Sequence, residues 1–314
     1  MLMTITRSST NLIKSINSQV LVGIFWKVLS CACFAGINII VRYLSGSSSI
    51  PIEQKLPSFV IMFFQNIIGS ILLIPFVFNR SNNFNIFTSL ISSKNLGLQT
   101  IRIVMAISGI LLWYISLAKM PVTKVVAISF LSPVLTIIGA ALLLKEKLNL
   151  SKSIAIISSL IGGFLISRPD LAMLNKFSNW DAIFPICAAL VFAADKLITR
   201  KILALQECPK LTTIYLLLFT APVCLICALL TSSWILPISS NFIPLLLLGI
   251  LGAIAHFSFN KSLETSEITV IMPYGISKII FSSILSYLVF SEIPETFSIW
   301  LGIIIISIST ILLI

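Results

Sequence analysis

Long apolar runs alternate with short polar links along almost the whole chain. A helix rises 1.5 Å per residue, so about 20 apolar residues span a hydrocarbon core about 30 Å thick. Ten such runs stand out, at about 20–44, 57–78, 97–118, 122–144, 152–168, 182–201, 211–231, 242–263, 268–290 and 297–314. The fifth and tenth are short. Only a few residues around Met120–Pro121 join the third to the fourth, which makes those two spans antiparallel neighbours. The longest polar gap, NRSNNFNIFTSLISSKN, separates spans two and three and has room for a short surface helix. The pattern predicts an all-α polytopic membrane protein with ten transmembrane helices.

Composition agrees. Of 314 residues, 58% are hydrophobic and only 10% charged, and the mean hydropathy is +1.09. A soluble domain carries about 25% charged residues, so this chain has too few to clothe a globular surface. The net charge of +11 would suggest a nucleic-acid partner in a soluble protein. Here the basic residues sit mostly between apolar runs, so the surroundings implied are membrane lipids, with no nucleic acid. Residues 1–19 are basic and rich in Ser and Thr. The run after them is too long for a signal-peptide core and shows no small-residue cleavage site, so they read as a retained cytoplasmic tail. Five of six cysteines fall inside apolar runs; the CxxC at Cys224–Cys227 has no second CxxC nearby and reads as packing.

Positive charge sets orientation. With the N-terminus inside, the cytoplasmic side holds Arg7, Lys14, Arg80, Lys94, Lys145, Lys147, Lys152, Arg200, Lys201, Lys210 and Lys261. The other side holds Arg42, Lys55, Lys119, Lys124, Arg168 and Lys176. The excess favours both termini in the cytoplasm and, for a bacterial protein, multi-pass insertion in the inner membrane.

A shift of 146 positions lays the chain over itself. Leu117 meets Leu263, Thr123 meets Thr269, Ile138 meets Ile284, Leu142 meets Leu288 and Glu146 meets Glu292. Both halves share one grammar: short polar link, apolar span, Glu, another apolar span. Five spans per half put the halves in opposite orientations, the inverted-repeat plan of secondary transporters. Within GAALLLKEKLNLS, Lys145 and Lys147 then mark a membrane boundary, and Glu146 marks a duplicated corner that caps or braces a helix end.

That pattern resembles the EamA-type transporters of the drug/metabolite transporter superfamily. The first half contributes LWYISLAKMPVTKVVAISFLSPVLTIIGAALLLKEKL, ending at Leu148, and GGFLISRPD (162–170). The second contributes HFSFNKSLETSEITVIMPYGISKIIFSSILSYLVFSEIP (256–294). The resemblance implies two inverted five-helix repeats around a central cavity. The expected divisions are a tail at 1–19, a first repeat at 20–170 and a second at 171–314. Asp170 stands where the family often has Gly, and Lys278 enters a stretch usually less charged. Within the family, the Leu-Trp-Tyr stretch before Leu117 and the His-Phe…Asn-Lys stretch before Leu263 look most like bacterial S-adenosylmethionine uptake carriers.

Polar groups inside spans are costly in lipid, so they face a cavity or a partner. Span one offers Asn38 and, four residues on, Arg42; Lys27 lies about a turn inside the boundary, where snorkelling explains it as well as function does. Gln65 and its neighbour Asn66 lie mid-span in the second run, as cavity groups or as interhelical glue. Arg102 opens span three, and Trp113 and Tyr114 lie near its other end. Those rings suit either an interfacial belt or stacking on an adenine or a sulfonium cation. Asp195 is the most central acid of any span, fit for a cationic substrate or a coupling proton. Its alternative is an end residue paired with Lys196 or Arg200. His256, the only histidine, and Asn260 are four apart; the imidazole suits a proton relay or a packed hydrogen bond. Tyr274 and Lys278 follow Pro273, whose missing N–H interrupts the helix, and such interruptions often line sites.

The expected function is a secondary carrier of a small polar metabolite, S-adenosylmethionine uptake first. The chain has no GxxxxGK[ST] phosphate loop, so exchange or an ion gradient would drive it. Export of amino acids, drugs or other metabolites is the rival within transport. A lipid-modifying intramembrane enzyme is the rival outside it. One histidine, no pair of mid-span acids and no metal-ligand spacing speak against catalysis, so no catalytic residue, metal or cofactor is expected. The oligomeric state, monomer or homodimer, stays open.

Overall fold

The computed structural model describes residues 2–46, 53–78, 95–119, 131–146 and 183–290, with isolated positions between 150 and 161. Most of the expected fifth span, the tenth span, the Met120–Pro121 link, nearly all of the polar gap after span two, Asp170 and Glu292 lie outside the described residues.

The described chain is helical, with no strand among the described residues. The helices are α1 Leu2–Leu44, α2 Ser58–Phe78, α3 Leu96–Lys119, α4 Leu131–Leu143, α5 Ile183–Ala204, α6 Pro209–Leu230 and α7 Ser239–Thr265. After them come α8 Ile268–Ile271, a 3-10 turn Pro273–Ile276 and α9 Ser277–Phe290. A helix satisfies its own N–H and C=O groups, which is what lets an apolar run cross lipid. Among the described residues, six stretches are long and apolar enough to cross a membrane: Gln19–Leu44, Ser58–Pro75, Leu96–Trp113, Pro209–Leu230, Ser239–Thr265 and Ile268–Phe290. The apolar part of α1 thus begins at Gln19, although the helix itself runs back through the expected tail. Helix α5 is as long but carries Asp195, Lys196, Arg200 and Lys201, so its charges need partners within the protein.

The two halves of the sequence are packed into each other. Helix α1 lies mainly against α7 and α9, α2 against α6 and α7, and α3 and α4 against α5. Among the described residues, helices of the first half find their main neighbours in the second. Glycine sets the closest approach. A Cβ on Gly69 of α2 would stand 3.2 Å from the Gly249 carbonyl oxygen of α7, and one on Gly249 would collide with Ile68. Small residues at such crossings replace the hydrophobic drive that lipid removes. Ser30 of α1 adds a buried bond, donating to the Ala255 carbonyl of α7 at 2.9 Å.

The corner at Lys145–Glu146 ties these elements together. Lys145 takes a left-handed φ of 55°, which ends α4 and turns the chain. Glu146 then accepts the Ile268 N–H at 3.1 Å and the Thr269 N–H at 3.0 Å, so a carboxylate of the first half caps the start of α8 in the second. Arg200 of α5 lies 3.7 Å from the same carboxylate. It also donates to the carbonyls of Leu263 and, at 3.3 Å, Glu264, where α7 ends. Anion at a helix start and cation at a helix end each complement the local backbone charge. The bracing expected of Glu146 from the repeat is present, and Arg200 supplies its other half.

Candidate substrate-binding site

The interruption expected at Pro273 is real. α8 stops at Ile271, the 3-10 turn Pro273–Ile276 follows, and α9 starts at Ser277. Helix α1 packs against this break. The Cys31 thiol points at the carbonyls of Tyr274 and Gly275, at 3.7 and 3.6 Å. Lys27, one turn earlier, brings its ammonium to within 3.6 Å of where a Gly275 Cβ would stand. Lys27 does not snorkel to water: it is 7% exposed, and its ammonium lies 4.4 Å from the centre of the Phe259 ring of α7. Lys278 of α9 lies over Phe34 of α1 at 5.4 Å, and Phe34 meets the His256 ring edge-on at 5.1 Å. Three helices thus bring Lys27, Phe34, His256, Phe259 and Lys278 together beside a broken span.

A second group joins it from α3 and α5. Arg102 is 2% exposed and donates to the Thr212 carbonyl of α6 at 2.8 Å. Its Nε lies 3.5 Å from the Asp195 carboxylate, an ion pair without hydrogen-bond geometry. Asp195 is therefore paired across the halves with Arg102, and not with Lys196 or Arg200 as its own helix suggested. Five residues of helix turn Arg200 to another face, where it meets Glu146. Lys196 donates to Ser132 of α4 at 3.1 Å and lies within electrostatic reach of Lys27, Lys278 and Asp195. His256 in turn feels Arg102 and Lys278.

The remaining expected residues divide. Asn260 is 1% exposed and donates to the Thr213 hydroxyl of α6 at 2.8 Å, so it binds two helices together on a side other than His256's. Gln65 lies flat on α7, where a Cβ on Gly252 would come within 3.0 Å of its amide nitrogen. Its neighbour Asn66 bonds within its own helix, to the Met62 carbonyl at 2.8 Å. Asn38 is exposed, while Arg42 on the same face lies over Phe290 at 5.2 Å. Trp113 is partly buried; the Tyr114 side chain lies outside the described residues. Tyr274 is buried in the 3-10 turn, so the four-residue step to Lys278 crosses a change of helix type.

Sequence reasoning passed over Phe34, Phe259 and Ser132. Two are among 21 phenylalanines and nothing local marks them. Away from this cluster, a small cleft between α2, α3 and α6 is lined by Phe59, Ile107, Thr220 and Cys224, and none of the expected residues borders it. Cys224 and Cys227 are both free thiols, and no trio of metal-ligating side chains converges among the described residues.

Apolar spans interleaved by halves, with charges and a broken helix between them, define a polytopic membrane transport protein. The chain belongs to the EamA-like transporter family, which it matches over residues 21–168 and 179–314. It is similar to the riboflavin transporter of Vibrio cholerae, 28% identical over 291 residues that cover 92% of this chain and 91% of that one. It is also similar to the S-adenosylmethionine uptake transporter of Rickettsia prowazekii, 27% identical over 273 residues, 87% of this chain and 86% of the other. One solved crystal structure superposes with a TM-score of 0.74 at 14% identity, covering 94% of this chain and 96% of that one, a likeness of fold alone.

Proposed function

We propose that this protein is a secondary carrier that takes up S-adenosylmethionine across the bacterial inner membrane. The full architecture in this reading is ten helices in two inverted five-helix repeats, residues 20–170 and 171–314, after a cytoplasmic tail at 1–19. Both termini face the cytoplasm, and the repeats rock against each other around a central site. One observation carries the reading: the charged and aromatic cluster of Lys27, His256, Lys278, Arg102 and Asp195 lies between helices drawn from both halves. A site at that interface opens to either side as the halves shift.

S-adenosylmethionine combines an adenine ring, a sulfonium, an ammonium and a carboxylate. Phe34 and Phe259 bring aromatic surface to the cluster, each already facing a lysine ammonium. Asp195 is the acid of this cluster, and Arg102 already lies beside it. Relatives from Rickettsia carrying that name support this choice. Riboflavin is the second reading, supported by relatives from Vibrio cholerae and Rhizobium johnstonii that bear its name.

Uptake of radiolabelled S-adenosylmethionine and of riboflavin by cells expressing the protein separates the two. Saturable accumulation of the first and not the second is expected. Uptake of riboflavin alone would transfer the assignment, and uptake of neither by correctly inserted protein would remove both.

A further inference from the structure

We infer that Lys27, Lys196 and Lys278 form an anion subsite that receives the negatively charged group of the transported metabolite. This rests on the carrier reading and narrows its substrate to molecules bearing a carboxylate or phosphate.

Basic side chains outnumber acidic ones within the expected spans. Lys27 and Lys278 lie over the rings of Phe259 and Phe34, Lys196 is within electrostatic reach of both, and Arg102 and Lys278 both act on His256 beside Phe34. Of the ten acidic residues in the chain, Asp195 alone lies inside an expected span; the others sit at span ends or in links. Asp195 is occupied by Arg102 at 3.5 Å. Lys27 and Lys278 therefore have no carboxylate among the described residues, and Lys196 has only a share of the one that Arg102 holds. Their contacts are weak substitutes: ring faces at 4.4 Å for Lys27 and 5.4 Å for Lys278, and a hydroxyl at 3.1 Å for Lys196. Ring faces also leave ammonium protons unbonded, and an ammonium carries three donors.

Lys27 is buried and Lys196 and Lys278 are partly buried, and like charges gathered there repel unless something neutralises them. Charges within membrane spans that lack partners mark substrate or ion paths. The three lysines come from α1, α5 and α9, and Lys27 and Lys278 flank the broken span. An anion bound between them would draw both halves onto one ligand. A carboxylate or phosphate has several acceptor oxygens and can be met by ammonium groups from more than one helix.

The test has two arms. In the first, purified protein is titrated with sodium phosphate, and separately with sodium acetate, against chloride at equal ionic strength. The expected result is a saturable rise in Tm for the wild type, lost in K27Q and K278Q and retained in K278R. The lysine-to-glutamine proteins should also be no less stable than wild type without the anion, since repulsion is relieved. An anion shift unchanged by both glutamine variants, or loss of anion-free stability in both, would overturn the subsite and leave the lysines as packing groups.

In the second arm, uptake of S-adenosylmethionine is competed with its decarboxylated form, and uptake of riboflavin with its 5′-phosphate. Preference for the carboxylate- or phosphate-bearing member of the transported pair, by about tenfold or more, should collapse in K278Q. Preservation of that preference in the variant sinks the subsite while the carrier reading stands. Loss of anion binding in the first arm, with no uptake of either pair by wild type, keeps the subsite and sinks the named substrates.

Discussion

Arg102 on α3 and Asp195 on α5 meet at 3.5 Å, and the pair joins the first half of the sequence to the second. Neither is free to choose another arrangement. Arg102 is 2% exposed and fixed by the Thr212 carbonyl at 2.8 Å, so its charge must be answered where it stands. This relationship is out of reach for a local reading, because 93 residues separate the partners.

Removal of one member should be worse than removal of both. Asp195→Asn leaves a buried guanidinium without its counter-charge, a change that costs about 3–5 kcal/mol in comparable settings. Arg102→Gln combined with Asp195→Asn should recover a large part of that loss. Chemical or thermal unfolding of the four purified proteins measures the coupling; strict additivity would show that the pair is incidental.

The Glu146–Arg200 corner offers a second cycle. Glu146 caps two N–H groups at the start of α8, and Arg200 answers two carbonyls at the end of α7. Glu146→Ala should cost roughly 1–2 kcal/mol, the range of a lost helix cap. Arg200→Ala in the same protein should then cost less than it does alone. Equal effects of Arg200→Ala with and without Glu146 would separate the two residues.

Glycine substitutions test the packing between α2 and α7. Gly249→Ala places a methyl group against Ile68, with the Gly69 amide nitrogen at 3.3 Å, and should destabilise by about 1–3 kcal/mol. Gly97→Ala in the first turn of α3 meets nothing within 4 Å and should be neutral or stabilising by up to about 1 kcal/mol. Similar effects at both positions would mean that helix propensity, and not close approach, sets the response.

The sequence by itself determined that the chain is helical and built for lipid. Runs of twenty apolar residues leave no alternative, because only a helix satisfies its backbone from within such a segment. It also marked Pro273 as an interruption, since a residue without an N–H carries that consequence wherever it stands. The equivalence of Glu146 with Glu292 pointed to a corner, and the described corner has its carboxylate on the first two N–H groups of α8.

Tertiary structure decided which polar groups meet. Periodicity puts His256 and Asn260 on one helix face, yet α7 is packed on several sides, and they turn to Phe34 of α1 and Thr213 of α6 respectively. Lys27 looked able to reach water; the packing of α7 against α1 instead covers it with Phe259. Asp195 looked available to a cation until α3 placed Arg102 beside it. In a membrane protein the apolar pattern records contact with lipid, which is similar all around the molecule. Partnership between buried charges is a relation among helices distant in sequence, and it exists only once those helices have packed.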